Sequence, residues 1–366
     1  MDILKLLEEG DFEEIRFMQD KATGFKAVTV IHNSTLGPCL GGARYWEYAT
    51  EEEGIIDAMR LARGMTYKNA ACGVHLGGGK TVIFKDPNHP KTEEYLRVFG
   101  RFVDGLNGRY ITAEDVGTTT EDMDIIYHET PYVGGTSLKK GSAGNPSPAT
   151  AHGVYFGMKA AAKEAFGSDS LKDLRIILEG CGNVGIEVAK KALAEGAKVY
   201  ASDIFEVPIE RARQAGCEII DRDKLFSVEA DIYAPCALGA TVNDKSIEDM
   251  KNAGIKIVAG SANNQLAEER HGAMLQEAGI IYAPDFIINA GGVIAVADEF
   301  NDGFDQERVY KSVEGIYDKI LRVFEIAKRD KVPTNIAANI LAEERLDAVL
   351  KSKRIFRQHE RSIYNR

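Results

Sequence analysis

Gly180-Cys181-Gly182-Asn183-Val184-Gly185 matches the spacing G-x-G-x-x-G, and its setting gives that spacing a chemical use. The run Arg175-Ile176-Ile177-Leu178 before it reads as a strand, and the residues after it read as a helix. In such a turn the first glycine allows the sharp reversal and the second lets a pyrophosphate approach the backbone. The third lets helix pack on strand, with Asn183 and Val184 opening the helix whose N-terminus faces the phosphates. Asp203 ends the next strand, 18 residues after Gly185, where an acid accepts hydrogen bonds from an adenosine ribose. The same carboxylate repels a 2′-phosphate, and Ile204-Phe205 supply no cation, so the pattern favours NAD over NADP. Lys68, Lys80 and Asp115 also stand out. Lys80 ends the glycine run 77–79, whose missing side chains let a ligand come close. Lys68 lies three residues after Met65, so the two can share a helix face. Apolar or glycine-rich sequence flanks both lysines, which is unusual for solvated surface.

Gly77-Gly78-Gly79-Lys80-Thr81 imitates the end of an ATP-binding phosphate loop. That motif needs a glycine at position 74, where the chain has Val74, and a helix afterwards, where Thr81-Val82-Ile83-Phe84 reads as a strand. A phosphotransferase is therefore disfavoured. The histidines His128, His152 and His271 have no metal-ligand spacing, no Cys-x-x-Cys occurs, and no metal is expected.

Strands and helices must position these groups. Strands are predicted at 26–32, 81–84 and 110–112, and helices at 51–64 and 92–106. Thr50 and Glu53 form a capping-box pattern at the start of the first helix. Between Gly134 and Pro148 periodicity stops, which suggests a hinge. Beyond it, a helix at 150–166 leads into strands at 175–179, 198–202, 231–233, 255–259 and 280–282. Strands alternating with helices argue a doubly wound parallel α/β sheet. Val309, Val313, Ile316, Ile320, Val323 and Ala327 mark an apolar stripe on one long helix over 306–329, and another helix is expected over 334–351. The expected organisation is an α/β substrate domain over 1–135, a hinge over 136–147 and a Rossmann-type domain over 148–329. C-terminal helices over about 330–366 return to the first domain, and a cleft separates the two.

The 366 residues are 44% apolar and 28% charged, enough for a sizeable core. A net charge of −11 does not suit a binder of nucleic acid or anionic membrane. Nothing resembles a signal peptide or a membrane span. The five cysteines are odd in number and unpaired in spacing, which fits a reducing, cytoplasmic setting. Cys181, inside the glycine turn, reads as structural, because a reactive thiol needs an exposed, electropositive setting.

Seven ordered segments carry a resemblance: 37–42, 64–69, 76–81, 110–118, 144–148, 260–265 and 289–293. Together they resemble the Glu/Leu/Phe/Val amino-acid dehydrogenase family over almost the whole chain. The resemblance implies NAD-dependent, reversible oxidative deamination of an L-amino acid to a 2-oxo acid and ammonia, by a homo-oligomer that is often an octamer. It implies that Lys68 binds the substrate α-carboxylate, Lys80 is the base acting through water, and Asp115 assists proton transfer. Thr150 and Asn263 would lie near the nicotinamide. Two ammonium groups near each other, and burial, depress a lysine toward neutrality, where it can act as a base. Glutamate enzymes of the family have a lysine where this chain has Leu40. With Gly41, Gly42, Met65, Ala113, Val293 and Val296, Leu40 implies an aliphatic slot for leucine, valine or isoleucine. Cys39, Ala43, Tyr45 and His75 depart from the family pattern. The rival expectations are a phenylalanine- or valine-preferring member and a non-catalytic NAD-binding regulator.

Overall fold

The computed structural model describes residues 2–138, 141–301 and 303–352. The chain divides into two compact units. One comprises residues up to Asn145, Ala295–Gln306 and the chain from Ala342; the other comprises Pro146–Ile294 and Glu307–Leu341. The return at 295–306 has no counterpart in the sequence reading. Lys139 and Lys140 of the expected hinge, and 353–366 of the expected C-terminal helices, lie outside the described residues.

The first unit runs α1 (Ile3–Gly10), β1 (Glu14–Asp20), β2 (Phe25–Asn33), β3 (Cys39–Trp46), α2 (Glu51–Cys72), β4 (Gly77–Phe84), α3 (Glu93–Asp104), β5 (Tyr110–Glu114) and α4 (Thr120–Ile126). Its sheet has the order β1-β2-β4-β3-β5. The β1–β2 and β2–β4 pairs are antiparallel, and β3 is parallel to β4 and β5. Strand β2 is apolar almost throughout because both of its faces are covered. Val28 and Val30, with Val82 of β4, pack on Ile55, Ala58, Met59 and Ala62 of α2. Phe25 meets the rings of Tyr95, Phe99 and Phe102 on the opposite side.

Helix α2 differs from expectation in length. It passes through Gly64 and ends at Cys72, so Met65 and Lys68 lie within it and not beyond it. Thr50 caps it by accepting from the Glu53 N–H at 3.2 Å, while the Glu53 carboxylate takes the Ala49 N–H in place of that of Thr50. The carbonyls of Asn69 and Ala70 near the other end receive Arg345 Nη1 at 3.0 and 2.9 Å. Supplying donors to the last carbonyls of a helix is a stabilising use of an arginine.

The second unit begins with α5 (Ser147–Phe166), β6 (Arg175–Glu179), α6 (Asn183–Ala194), β7 (Lys198–Ser202), α7 (Glu206–Gln214), β8 (Glu218–Ile219) and β9 (Ile232–Pro235). It continues with α8 (Asp244–Asn252), β10 (Ile257–Val258), α9 (His271–Glu277), β11 (Ile281–Tyr282) and α10 (Asp285–Ile288). Then follow α11 (Gly291–Asp298), whose residues from Ala295 on belong to the first unit, α12 (Gln306–Glu314), α13 (Ile316–Asp330) and α14 (Thr334–Ser352), which passes into the first unit at Ala342. The sheet order is β11-β10-β9-β6-β7-β8, and every pair is parallel. This is the doubly wound arrangement that alternating strands and helices foretold. The apolar stripe from Val309 is buried as expected, but it is carried by two helices that break at Gly315. Gly153 and Gly157 let α5 lie close to its neighbours, since a Cβ there would come within 2.6 Å of Ile316 and 2.3 Å of Ile288.

Candidate active site

Strand register gathers one group of residues. Leu40 pairs with Gly78, and Gly42 with Ala113. Side chains alternate along a strand, so Leu40, Gly42, Gly78, Lys80 and Ala113 share one face of the sheet. This is the face on which α2 packs, and the approach is close: a Cβ on Gly78 would lie 2.1 Å from the Thr66 backbone nitrogen. Thr66 stands between Met65 and Lys68 on α2, and both of those side chains are half-buried. Leu40 is 1% exposed and Ala113 8%, so the aliphatic positions are enclosed. Gly77, Gly78 and Gly79 are strand residues with Lys80 mid-strand, which removes the phosphate-loop alternative: there is no helix N-terminus beside the lysine.

Lys80 is 4% exposed, and its Nζ lies 2.8 Å from Asp115 Oδ2. Asp115 follows β5 in a tight turn. Its N–H donates to Thr118 Oγ1 at 2.9 Å, and that hydroxyl donates to the Ala43 carbonyl at 2.9 Å. Gly117 in the turn has φ +83°, and a Cβ there would come within 2.1 Å of the Tyr45 carbonyl oxygen. Burial pushes the Lys80 ammonium below its ordinary pKa, against the pull of Asp115. Burial acts to raise the Asp115 carboxyl, but Lys80 and Arg44 overcome it and hold the group below the usual carboxylate range. A buried lysine with a lowered proton affinity beside a firmly ionised carboxylate is the chemistry of a general base with a proton-handling partner.

Sequence reasoning missed Arg44 and Asp57. Arg44 Nε donates to the same Asp115 Oδ2 at 2.9 Å, and its Nη1 reaches Asp57 Oδ2 at 2.8 Å. Arg44 is thus a cation in contact with the Lys80–Asp115 pair. Alternation along β3 would have flagged Arg44, had the glycine-rich run 39–46 been recognised as a strand.

In the second unit the glycine turn is formed as its spacing required. Gly180 has φ +101°, and a Cβ on Gly185 would fall 2.0 Å from the Gly180 carbonyl oxygen. At Gly182 a Cβ would meet nothing within 4 Å, and no side chain caps the N-terminus of α6 there. The turn is therefore an open cradle before the backbone donors of Asn183 and Val184, and it fits a pyrophosphate. Asp203 Oδ2 accepts from the Cys181 N–H at 2.7 Å and Oδ1 from the Phe205 N–H at 3.0 Å, which fixes the carboxylate beside the turn. The Cys181 thiol is buried and pushed up to about 12 by that burial, so it is inert.

Thr150, on α5, is close to the 289–293 segment, because a Cβ on Gly292 would lie 2.9 Å from its hydroxyl. Asn289 Nδ2 donates to Asn263 Oδ1 at 2.7 Å and to the Ser261 carbonyl at 3.0 Å. Val293 and Val296 lie three residues apart on α11, both half-buried. Val296 closes on Gly134, where a Cβ would come within 2.6 Å of its Cγ1. His271, Asp244 and Glu268 cluster closely enough to suggest metal ligands. The imidazole, however, accepts the Glu268 N–H at Nδ1, so Nε2 carries the hydrogen toward Asp244. Arg270 bridges both carboxylates, and the cluster is an ion-pair network.

Two sequence profiles match the chain. That of the Glu/Leu/Phe/Val dehydrogenase dimerisation domain covers residues 12–132, and that of Glutamate/Leucine/Phenylalanine/Valine dehydrogenase covers 141–207 and 205–354. The chain belongs to this dehydrogenase family. Leucine dehydrogenase of Thermoactinomyces intermedius is 58% identical over 366 residues, 100% of this chain and 99% of that one. Valine dehydrogenase of Streptomyces albus is 44% identical over 352 residues, 94% of this chain and 96% of that one. The crystal structure of L-tryptophan dehydrogenase from Nostoc punctiforme superposes with a TM-score of 0.85 at 39% identity, covering 95% of this chain and 99% of that one. This member of the Glu/Leu/Phe/Val family is therefore an amino-acid dehydrogenase, an oxidoreductase that works with a nicotinamide cofactor.

Proposed function

We propose that this dehydrogenase catalyses the NAD-dependent, reversible oxidative deamination of branched-chain L-amino acids, leucine with valine and isoleucine, to 2-oxo acids and ammonia. The observation that carries the reading is the pair of buried Lys80 and half-buried Asp115 beside the sheet face that bears Leu40, Gly42 and Ala113. The likeness to leucine dehydrogenase of Thermoactinomyces intermedius, at 58% identity, supports it. Lys68 holds the substrate α-carboxylate. Gly41 and Gly42 let β3 lie close against Gly79 and Glu114 and leave bare main chain toward the substrate, and Leu40, Met65, Ala113, Val293 and Val296 supply apolar contacts to its side chain. A glutamate side chain would bring a carboxylate against Leu40 with no partner, at a cost of several kcal/mol, on the order of ~2–7 for an uncompensated polar group and more for a charge. One methylene separates poorly, roughly 10–200-fold, so all three branched substrates react.

Gly180, Gly182, Asn183, Val184 and Gly185 hold the pyrophosphate, Asp203 the adenosine ribose, and Thr150 and Asn263 the nicotinamide end. The negative charge of Asp203 selects NAD. A nicotinamide cofactor held by these residues would supply the hydride acceptor for the substrate Cα–H. Lys80 in its neutral form takes a proton from the water that adds to the resulting imino carbon, and Asp115 receives or returns a proton as ammonia leaves. Each step of the reverse direction uses the same groups in the opposite protonation state.

The chain assembles with copies of itself, as an octamer, and works in the cytoplasm. Five cysteines, none of them in a disulfide, fit a reducing compartment, and no helix among the described residues is long and apolar enough to cross a membrane. Light scattering that returned the mass of one chain would overturn the assembly. The activity is tested by absorbance at 340 nm with NAD and leucine, valine, isoleucine, phenylalanine or glutamate in turn. Turnover of the three branched substrates, lost in Lys80→Ala with NADH binding retained, is the expected result. Preference for phenylalanine or glutamate refutes the slot, and absence of turnover from folded protein favours a non-catalytic regulator.

A further inference from the structure

We propose that Arg44 is a positioning residue for this reaction: by sharing one oxygen of Asp115 with Lys80, it limits how firmly that carboxylate can hold the Lys80 ammonium. The inference rests on Lys80 being the base. Asp115 Oδ2 receives Lys80 Nζ at 2.8 Å and Arg44 Nε at 2.9 Å, from neighbouring strands. A lysine alone with a buried carboxylate would form a closed ion pair and keep its proton, because an opposite charge in contact favours the charged form. Arg44 prevents that closure by adding a second, permanent positive charge at the same oxygen; a guanidinium does not deprotonate in the working range.

Arg44 is held in this position independently of Asp115. Its Nη1 donates to Asp57 Oδ2 at 2.8 Å, and Tyr48 donates to the same oxygen at 2.7 Å. Arg60 Nη2 reaches the other oxygen, Oδ1, at 2.8 Å. Burial and the neighbouring Asp57 push the Tyr48 hydroxyl well above its usual value, so it stays a donor. The planar fork of the guanidinium is what lets one side chain reach a carboxylate on the loop after β5 and another on α2; an ammonium has a single nitrogen and cannot span both. The charged groups facing Lys80 include Asp115 after β5, Arg44 on β3 and Asp57 on α2, the helix that also carries Lys68. Burial and Arg44 lower the proton affinity of Lys80, and Asp115 and Asp57 raise it. Four charges in two opposed pairs leave Lys80 poised to exchange a proton.

The test is the pH profile of kcat/KM for leucine in the parent, Arg44→Gln, Arg44→Met, Arg44→Lys and Lys80→Ala, each with its thermal melt. Without the guanidinium, Lys80 holds its proton more tightly. The acid limb of Arg44→Gln should then move to higher pH by about one unit, which is about a tenfold lower rate at a fixed pH on that limb, with the plateau still reached above it. Arg44→Lys, which restores the charge without the fork, should move the limb part of the way back. Arg44→Met decides if the Gln variant does not stay folded at the assay temperature. A limb that stays in place while the rate falls by one factor at every pH, or a limb that moves to lower pH, overturns the role of Arg44. Turnover retained by Lys80→Ala overturns the base assignment itself. Lys80→Ala inactive with an unmoved limb in Arg44→Gln removes only the Arg44 inference.

Discussion

Gly182→Ala separates loss of the cofactor from loss of the fold. Gly182 precedes α6 with φ −65° and ψ −168°, a conformation open to alanine. A methyl there meets nothing within 4 Å in the protein. Folding stability should hold, or rise by about 0.4–1 kcal/mol, because alanine narrows the unfolded ensemble. The same methyl stands where the pyrophosphate must approach the backbone. An extra methyl forced into a tight contact costs about 1–3 kcal/mol, which is roughly 5- to 150-fold in Kd. Gly185→Ala is the contrast: its Cβ would lie 2.0 Å from the Gly180 carbonyl oxygen, a main-chain atom that cannot swing away. That variant should lose stability as well as binding. Titration of each variant with NADH, followed by fluorescence, gives the affinities, and thermal unfolding gives the stabilities. An NADH affinity unchanged by Gly182→Ala would show that the cradle is not where the pyrophosphate lies. A Gly185→Ala melt equal to that of the parent would show that the turn tolerates what its geometry forbids.

Leu40→Lys places an ammonium at a position 1% exposed and should lower kcat/KM for leucine by at least about 100-fold, the effect of ~3 kcal/mol, while glutamate gains relative to leucine; unaltered leucine preference in a side-by-side assay would remove Leu40 from the slot. Asp203→Ser deletes the charge that opposes a 2′-phosphate and should raise the NADP-to-NAD ratio of kcat/KM by about tenfold or more, the effect of ~1.4 kcal/mol, and a constant ratio would refute that assignment. His32 is buried against Thr66, its Nδ1 2.8 Å from the hydroxyl, and burial, followed by Arg63, pushes its pKa from 6.5 down to about 4. Between those values the folded protein holds His32 neutral while the unfolded chain protonates it, so stability falls as the pH drops below 6.5. The loss is about 2 kcal/mol between pH 7 and pH 5. His32→Gln cannot titrate, so urea unfolding at the two pH values should show a smaller difference than in the parent; an equal difference would place the titration elsewhere.

Elements whose residues announce themselves locally were legible. Strand β2 is dense in β-branched residues, α3 has a clean apolar stripe, and the glycine turn after β6 carries its own spacing. Helix α2 was cut short at Gly64 because glycine inside a helix costs about 1 kcal/mol relative to alanine. What carries the helix onward is packing under Gly78 and the carbonyl caps from Arg345, and a residue so distant in sequence leaves no local trace. Strand β3 was invisible because Gly41, Gly42 and Ala43 lack strand propensity, yet close approach to β4 is what demands small residues there. That omission hid Arg44, and with it half of the charge pattern around Lys80. The single stripe from Val309 to Ala327 has the correct burial, but its spacing persists across the break at Gly315, so periodicity alone could not divide it into α12 and α13.

Where Gly41 crosses Gly79, a Cβ would lie 1.7 Å from a carbonyl oxygen, so the base of the sheet beside Lys80 consists of bare main chain. Such a surface offers selection nothing to exchange. Divergence in diet among relatives has to be written at the handful of positions around it that still bear a side chain, and attempts to retrain this catalyst inherit a fixed anvil with a few interchangeable dies. Libraries confined to those dies will sample new tastes, whereas randomising the anvil will mostly yield unfolded protein.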